Sequence, residues 1–138
     1  MGNKILGIVL IAGTLFLGSC ASNNLSNSEG KEAKLEEVTS TLDNVNDINF
    51  KNKKNVLLDV RTPEEFAEGH IPGAINIDVK NPNFTDEIQK LDTKKNYFIY
   101  CKSGVRARLA TEKMQDKGFK KAINFKDGMS TYKGTITK

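Results

Sequence analysis

A cysteine and an arginine stand at the two ends of a short loop that follows an apolar run: Tyr97-Phe98-Ile99-Tyr100-Cys101-Lys102-Ser103-Gly104-Val105-Arg106. The run reads as a strand. Beyond the loop Val105, Leu109 and Ala110 recur at helical spacing, with Lys113 and Lys117 toward the far end. A cysteine at such a junction meets backbone N–H groups that have no helical partner, and the positive end of the helix dipole. Both favour the nucleophilic thiolate over the thiol. Gly104 lets the loop turn tightly, and Arg106 adds a fixed positive charge. The expected result is a cradle of N–H donors with a nucleophile at its bottom, suited to an anion or a persulfide. Lys102 and Ser103 are expected to give mainly backbone amides, and Arg106 a contact to substrate or loop.

The elements around this loop alternate. Val56-Leu57-Leu58-Asp59-Val60 is a continuous apolar run with the character of a buried strand. At its carboxyl end Asp59 is expected to accept hydrogen bonds from loop amides. Arg61 is expected to pair with Glu65 one helical turn on, so that Asp59, Arg61 and Glu65 support the site. Thr62-Pro63-Glu64-Glu65 starts a helix: a capping threonine, proline at the first helical position and glutamate three residues after the cap. Gly69 closes it. His70-Ile71-Pro72-Gly73 turns the chain into a strand, Ala74-Ile75-Asn76-Ile77. After the break at Asn81-Pro82-Asn83, Phe84, Ile88 and Leu91 mark another helix. The helix that follows Cys101 runs to Lys117 and stops at Gly118. Ala122-Ile123-Asn124-Phe125 is a last short strand, Asp127-Gly128 a turn, and residues 129–133 a closing helical turn. Strands alternating with helices predict an α/β domain with a mostly parallel central sheet flanked by helices. In such sheets the site lies beyond the carboxyl ends of the strands, where Cys101 and Arg61 both fall. His70 reads as a turn residue rather than a general base, since a preformed thiolate needs none.

The 138 residues carry a net charge of +4, with 38% hydrophobic and 28% charged residues. The lysines are scattered and not interleaved with aromatics, which argues against a nucleic-acid surface. With two cysteines, Cys20 and Cys101, and one histidine, His70, a zinc site of the usual spacing is excluded. No cofactor is implied, and a monomer is the default.

The N-terminus reads as an export signal. Lys4 precedes an apolar run of thirteen residues, 5–17, too short to span a bilayer as a helix but suited to a signal core. It ends in Leu17-Gly18-Ser19-Cys20, which resembles the lipobox of bacterial lipoproteins. That resemblance implies cleavage after residue 19, acylation of Cys20 and a lipid anchor in the cell envelope. With no acidic residue at Ala21 or Ser22, it weakly favours the outer membrane if the cell has two. An ordinary secretory signal with an incidental cysteine is the alternative. Residues 20–34 are small and polar, a flexible tether. Residues 35–138 form the domain. Leu35, Val38, Leu42 and Val45 recur at helical spacing, but a short strand over 35–39 followed by a helix reads nearly as well.

Two motifs carry a family resemblance. Asp59-Val60-Arg61-Thr62-Pro63-Glu64-Glu65-Phe66-Ala67-Glu68-Gly69-His70-Ile71-Pro72-Gly73-Ala74-Ile75-Asn76-Ile77 resembles the first signature of rhodanese-like sulfurtransferase domains. Cys101-Lys102-Ser103-Gly104-Val105-Arg106 resembles their active-site loop. Asp127-Gly128 and Tyr132 stand where the family has a closing Gly-Gly and a tryptophan, so the C-terminal packing departs from the pattern. The resemblance implies a rhodanese-like fold and a sulfur carrier. Cys101 would take the outer sulfur of a donor such as thiosulfate or a persulfide, hold it as Cys101–S–S⁻ and pass it to cyanide or a thiol, ordinary covalent catalysis. Cysteine phosphatases use a longer loop with arginine six residues after the cysteine; here the sixth residue is Ala107 and the arginine is the fifth, Arg106. A non-catalytic or partner-dependent binding module is the runner-up. A redox-sensing thiol would lack a resolving cysteine.

Overall fold

The computed structural model describes residues 41–138. The expected signal (1–19), Cys20, the tether to residue 34 and the reading of 35–40 lie outside them. Four strands form one sheet: β1 (Asn55–Asp59), β2 (Ile75–Asn76), β3 (Asn96–Tyr100) and β4 (Ala122–Asn124), in the order β2-β1-β3-β4, every pair parallel. The helices are α1 (Pro63–Glu68), α2 (Phe84–Gln89) and α3 (Val105–Asp116), with a 3₁₀ helix at Leu42–Asp47. This is the expected α/β domain.

Register explains where the cysteine points. β1 and β3 pair over five positions, from Asn55 opposite Asn96 to Asp59 opposite Tyr100. Side chains alternate between the faces of a strand. Leu58, Val60, Tyr97, Ile99 and Cys101 therefore fall on one face, in a core with Phe84 and Ile88 of α2 and Ala107, Ala110 and Met114 of α3. Leu57, Phe98 and Tyr100 fall on the other, with Leu42 and Val45 of the 3₁₀ helix, Ile48 just after it, and Phe125. Burial on both faces is why β1 and β3 read as continuous apolar runs.

Of the three α3 residues that periodicity singled out, Ala110 faces inward and Val105 and Leu109 do not. Ala107, Ala110, Thr111 and Met114 are buried, whereas Val105 and Leu109 are exposed. The loop fixes where the helix starts and hence its phase, and the two small alanines let it approach the sheet closely. Its far end closes with Gly118 N–H on the Gln115 carbonyl and Phe119 N–H on the Met114 carbonyl, a Schellman closure. The expected last helical turn is only a hydrogen-bonded turn, with Thr131 and Tyr132 N–H on the Gly128 carbonyl.

A buried ion pair ties the carboxyl end of β1. Asp59 is fully buried and accepts the Arg61 backbone N–H and Nε–H at 3.0 Å, with Nη2 at 2.6 Å. Arg61 Nη2 also donates to the Gly69 carbonyl at 2.8 Å, and the guanidinium lies 5.9 Å from the Tyr100 ring centroid. Burial works against the Arg61 charge, but the hydrogen bond and charge of Asp59 outweigh it and hold the guanidinium above its ordinary pKa. The expected Arg61–Glu65 pair does not form. Thr62 is the extended N-cap of α1, so Arg61 precedes the helix and the one-turn relation to Glu65 does not hold. Asp59 likewise meets its own neighbour's amide, not those of the Cys101 loop. Asn76 completes the brace, donating from Nδ2 to the Asp59 and Arg61 carbonyls at 3.0 and 2.9 Å.

Removing one partner of a buried pair leaves the other charge uncompensated. Asp59→Ala should lower unfolding free energy by about 3–5 kcal/mol, read as a lower urea midpoint at unchanged slope. A loss under about 1 kcal/mol would contradict the brace.

Candidate active site

Cys101 follows β3 directly and is fully buried. Gly104 N–H donates to its Sγ at 3.1 Å. Gly104 has φ of +92° and stands at the N-cap of α3, a backbone shape that suits glycine. A Cβ there would also collide with the Lys126 carbonyl. The loop thus aims an amide at the sulfur at the positive end of a twelve-residue helix. Lys102 and Ser103 are exposed and Val105 is exposed at the helix start.

The floor of the loop is held by the segment that follows Asp127-Gly128, which the family resemblance placed near the site without giving its contacts. Met129 N–H donates to the Cys101 carbonyl at 2.9 Å, and Ser130 donates to the Lys102 carbonyl through both N–H (3.0 Å) and Oγ–H (2.8 Å). Gly128 lies against the Cys101 and Lys102 carbonyls so closely that a Cβ would overlap them. Asp127 secures the turn: Oδ1 accepts Leu42 N–H at 2.6 Å and Oδ2 accepts the Thr131 hydroxyl at 2.9 Å. The Asp-Gly dipeptide signalled a turn, but nothing in its spacing signalled a contact with the loop. Tyr132 packs on the second core instead, beside Met129.

Arg106 closes the loop, but its guanidinium does not face open solvent. Nη1 and Nη2 reach Glu65 Oε2 and Oε1 at 2.7 and 2.8 Å, a bidentate pair. Glu65 also completes the capping box, with Oε2 accepting Thr62 N–H at 3.1 Å while its own N–H donates to Thr62 Oγ1 at 3.3 Å. The partner assigned to Arg61 from the sequence is thus taken by Arg106. The Arg106 hydrogen bond, against some desolvation and with help from Thr62, lowers the Glu65 carboxyl from 4.5 to about 2.

Tyr100 stands behind the loop on the opposite face, its oxygen accepting Ile71 N–H at 3.2 Å. Burial first, then the charge of Asp59, pushes its phenol above the ordinary value, so it is neutral at physiological pH. His70, expected in the turn, instead forms an isolated antiparallel bridge just before it, and the turn itself falls at Pro72-Gly73. The His70 Nδ1 is 2.9 Å from the Phe66 carbonyl, its ring stacks on Phe66 at 3.6 Å, and its backbone pairs with Thr137. A hollow lined by Val45, Ile48, Phe50, Leu57, Ile71 and Tyr132 lies on the far face of the sheet from Cys101.

A family model described as a rhodanese-like domain matches residues 41–135. YtwF of Bacillus subtilis (strain 168), provisionally named a sulfurtransferase, is 36% identical over 78 residues, covering 56% of this chain and 73% of its own. Thiosulfate sulfurtransferase 16, chloroplastic, of Arabidopsis thaliana is 35% identical over 85 residues, covering 54% and 71%. The crystal structure of a rhodanese-like domain protein from Staphylococcus aureus superposes with a TM-score of 0.59 at 30% identity, covering 67% of this chain and 88% of that one. In a tRNA uridine(34) hydroxylase of Buchnera aphidicola subsp. Baizongia pistaciae (strain Bp), 33% identical over 89 residues, the match covers 60% of this chain and 28% of that protein's length.

The Glu65 carboxyl is depressed on folding, so it contributes stability above its unfolded value and loses that contribution as pH falls toward the folded one. Wild type should exceed Glu65→Gln in stability at pH 7, with the gap closing between pH 4.5 and about 2. Urea titrations of both proteins across that range measure it. A gap independent of pH would contradict the Arg106–Glu65 pair.

Proposed function

The chain belongs to the rhodanese-like domain family, and from that premise we propose that it is a sulfurtransferase carrying sulfane sulfur as a persulfide on Cys101. The observation that carries the reading is the Gly104 N–H aimed at Cys101 Sγ at 3.1 Å, at the start of α3. A persulfide places its terminal anionic sulfur one bond beyond Sγ, where N–H groups of residues 102–106 are the nearest donors the loop can offer. Such donors stabilise an anion in a site that excludes water.

The cycle has two displacements. The Cys101 thiolate attacks the outer sulfur of thiosulfate; a sulfur–sulfur bond forms as the donor's own breaks, and sulfite leaves with the electron pair. With a persulfide donor R–S–SH the leaving group is the thiolate R–S⁻. In the second step cyanide or a thiolate attacks the terminal sulfur of Cys101–S–S⁻, and the Cys101 thiolate departs. No external oxidant or reductant enters, and no general base is required. The relatives named sulfurtransferases support this class of reaction. The N-terminal reading adds the setting: a lipid on Cys20 and a tether over 20–34 would hold the domain at the cell envelope, where small anions and thiols are its reactants.

The test is intact mass of the soluble domain, wild type and Cys101→Ser, after thiosulfate or a low-molecular-weight persulfide and then cyanide. Wild type alone should gain one sulfur, about 32 Da, and release it as thiocyanate. An equal gain on Cys101→Ser, or none on wild type with either donor, would contradict the proposal and favour a domain that only binds a partner.

A further inference from the structure

The loop's own arginine is already occupied. Both terminal nitrogens of Arg106 are held by Glu65, at 2.7 and 2.8 Å. Both partners are largely sheltered, with side-chain exposures of 19% and 28%. Glu65 is itself fixed by the Thr62 cap, so the clamp is anchored in α1 and does not drift with the loop. The other nearby cations are of a different kind or lie apart: Lys102 in the loop and Lys126 behind Gly104 are exposed ammonium groups, and Arg108 lies out on α3, 3.9 Å from Glu112 and 72% exposed. Arg106 remains close enough to matter. The Glu65 hydrogen bonds are the main reason its pKa is raised, and the Cys101 sulfur and Asp78 add smaller electrostatic contributions.

We propose that Glu65 is a positioning residue that sets the class of sulfur donor. By clamping Arg106 it withholds the loop's guanidinium from the sulfur at Cys101, leaving a singly charged persulfide better matched than dianionic thiosulfate. The inference rests on the sulfurtransferase reading and deepens it. With Arg106 committed, an incoming donor meets backbone amides and the Cys101 thiolate, with no free guanidinium between them. A persulfide R–S–SH carries at most one charge on its reacting end. Thiosulfate brings two negative charges to a sulfur that is itself negative, and a planar guanidinium is the group that would offset them. In either case the donor's sulfur–sulfur bond breaks, its electron pair leaves on R–S⁻ or sulfite, and the sulfane sulfur stays on Cys101.

The experiment compares kcat/KM for loading Cys101 from thiosulfate and from hydroxyethyl persulfide, which carries at most one negative charge. Wild type should prefer the persulfide. Glu65→Gln keeps a side chain able to complete the capping box but loses the ionic clamp. Its thiosulfate-to-persulfide ratio should rise about tenfold, mainly through a lower KM for thiosulfate. The gain should vanish in Glu65→Gln/Arg106→Gln, because the released guanidinium is its source. Arg106→Lys tests the same ratio without touching the cap: an ammonium cannot hold the two-point fork, so the ratio should rise there too. A wild-type preference for thiosulfate, a ratio within twofold of wild type in both single variants, or a gain that survives in the double variant would overturn the proposal. Failure of wild type to load from either donor would instead overturn the sulfurtransferase reading, and this inference with it.

Discussion

A buried sulfur that carries negative charge has to be given hydrogen-bond donors, because burial removes the water that would otherwise supply them. That constraint organises this domain. Cys101 is fully buried at the carboxyl end of β3, and the donor it receives comes from a glycine amide at the start of α3. For the amide to point inward the chain must turn through φ +92° at Gly104, three residues after Cys101. For the turn to hold, the Cys101 and Lys102 carbonyls must be satisfied from outside the loop. Met129 and Ser130 do this, and Gly128 permits the close approach. Asp127 then joins that turn to the start of the 3₁₀ helix. The second core, with no reacting group of its own, therefore positions the first.

Charge is distributed with the same economy. The domain places two arginines near the site and pairs each with a carboxylate: Arg61 with Asp59 beneath the sheet end, and Arg106 with Glu65 at the rim. The magnitudes favour a donor of low charge. A like-charge pair 4 Å apart at an effective dielectric of 20 is worth about 4 kcal/mol. A helix N-terminus returns about 0.3–1 kcal/mol, and about 2 kcal/mol in the best partly buried geometry. Amides and dipole together can hold one anionic sulfur; in the proposed reading a second charge calls for the guanidinium that Glu65 has engaged.

Much of this was legible in the sequence, for physical reasons that can be named. β1 and β3 are buried on both faces, so their apolar runs are continuous. The Thr62–Glu65 capping box is local chemistry, and the structure reproduces it hydrogen bond by hydrogen bond. The glycine at the turn after Cys101 and the stop at Gly118 are local too. What escaped was non-local or a matter of phase. Glu65 and Arg106 are 41 residues apart, and Leu42 and Asp127 are 85 apart; no spacing rule connects them. The phase of α3 is set by the loop it leaves, which is why Val105 and Leu109 are outside and Ala107 and Met114 inside. The strand expected over 74–77 shortens to Ile75–Asn76, with Asn76 spending its side chain on the Asp59 and Arg61 carbonyls.

The central claim is that backbone amides of the loop hold the transferred sulfur. It is tested most directly by comparing amide proton and nitrogen NMR spectra of the domain with Cys101 reduced and with Cys101 carrying one extra sulfur. The account predicts that the shifts concentrate on the amides of residues 102–106, Gly104 foremost, with proton resonances moving downfield as the bonds strengthen. Loop amides that stay in place while the spectrum changes elsewhere would contradict it.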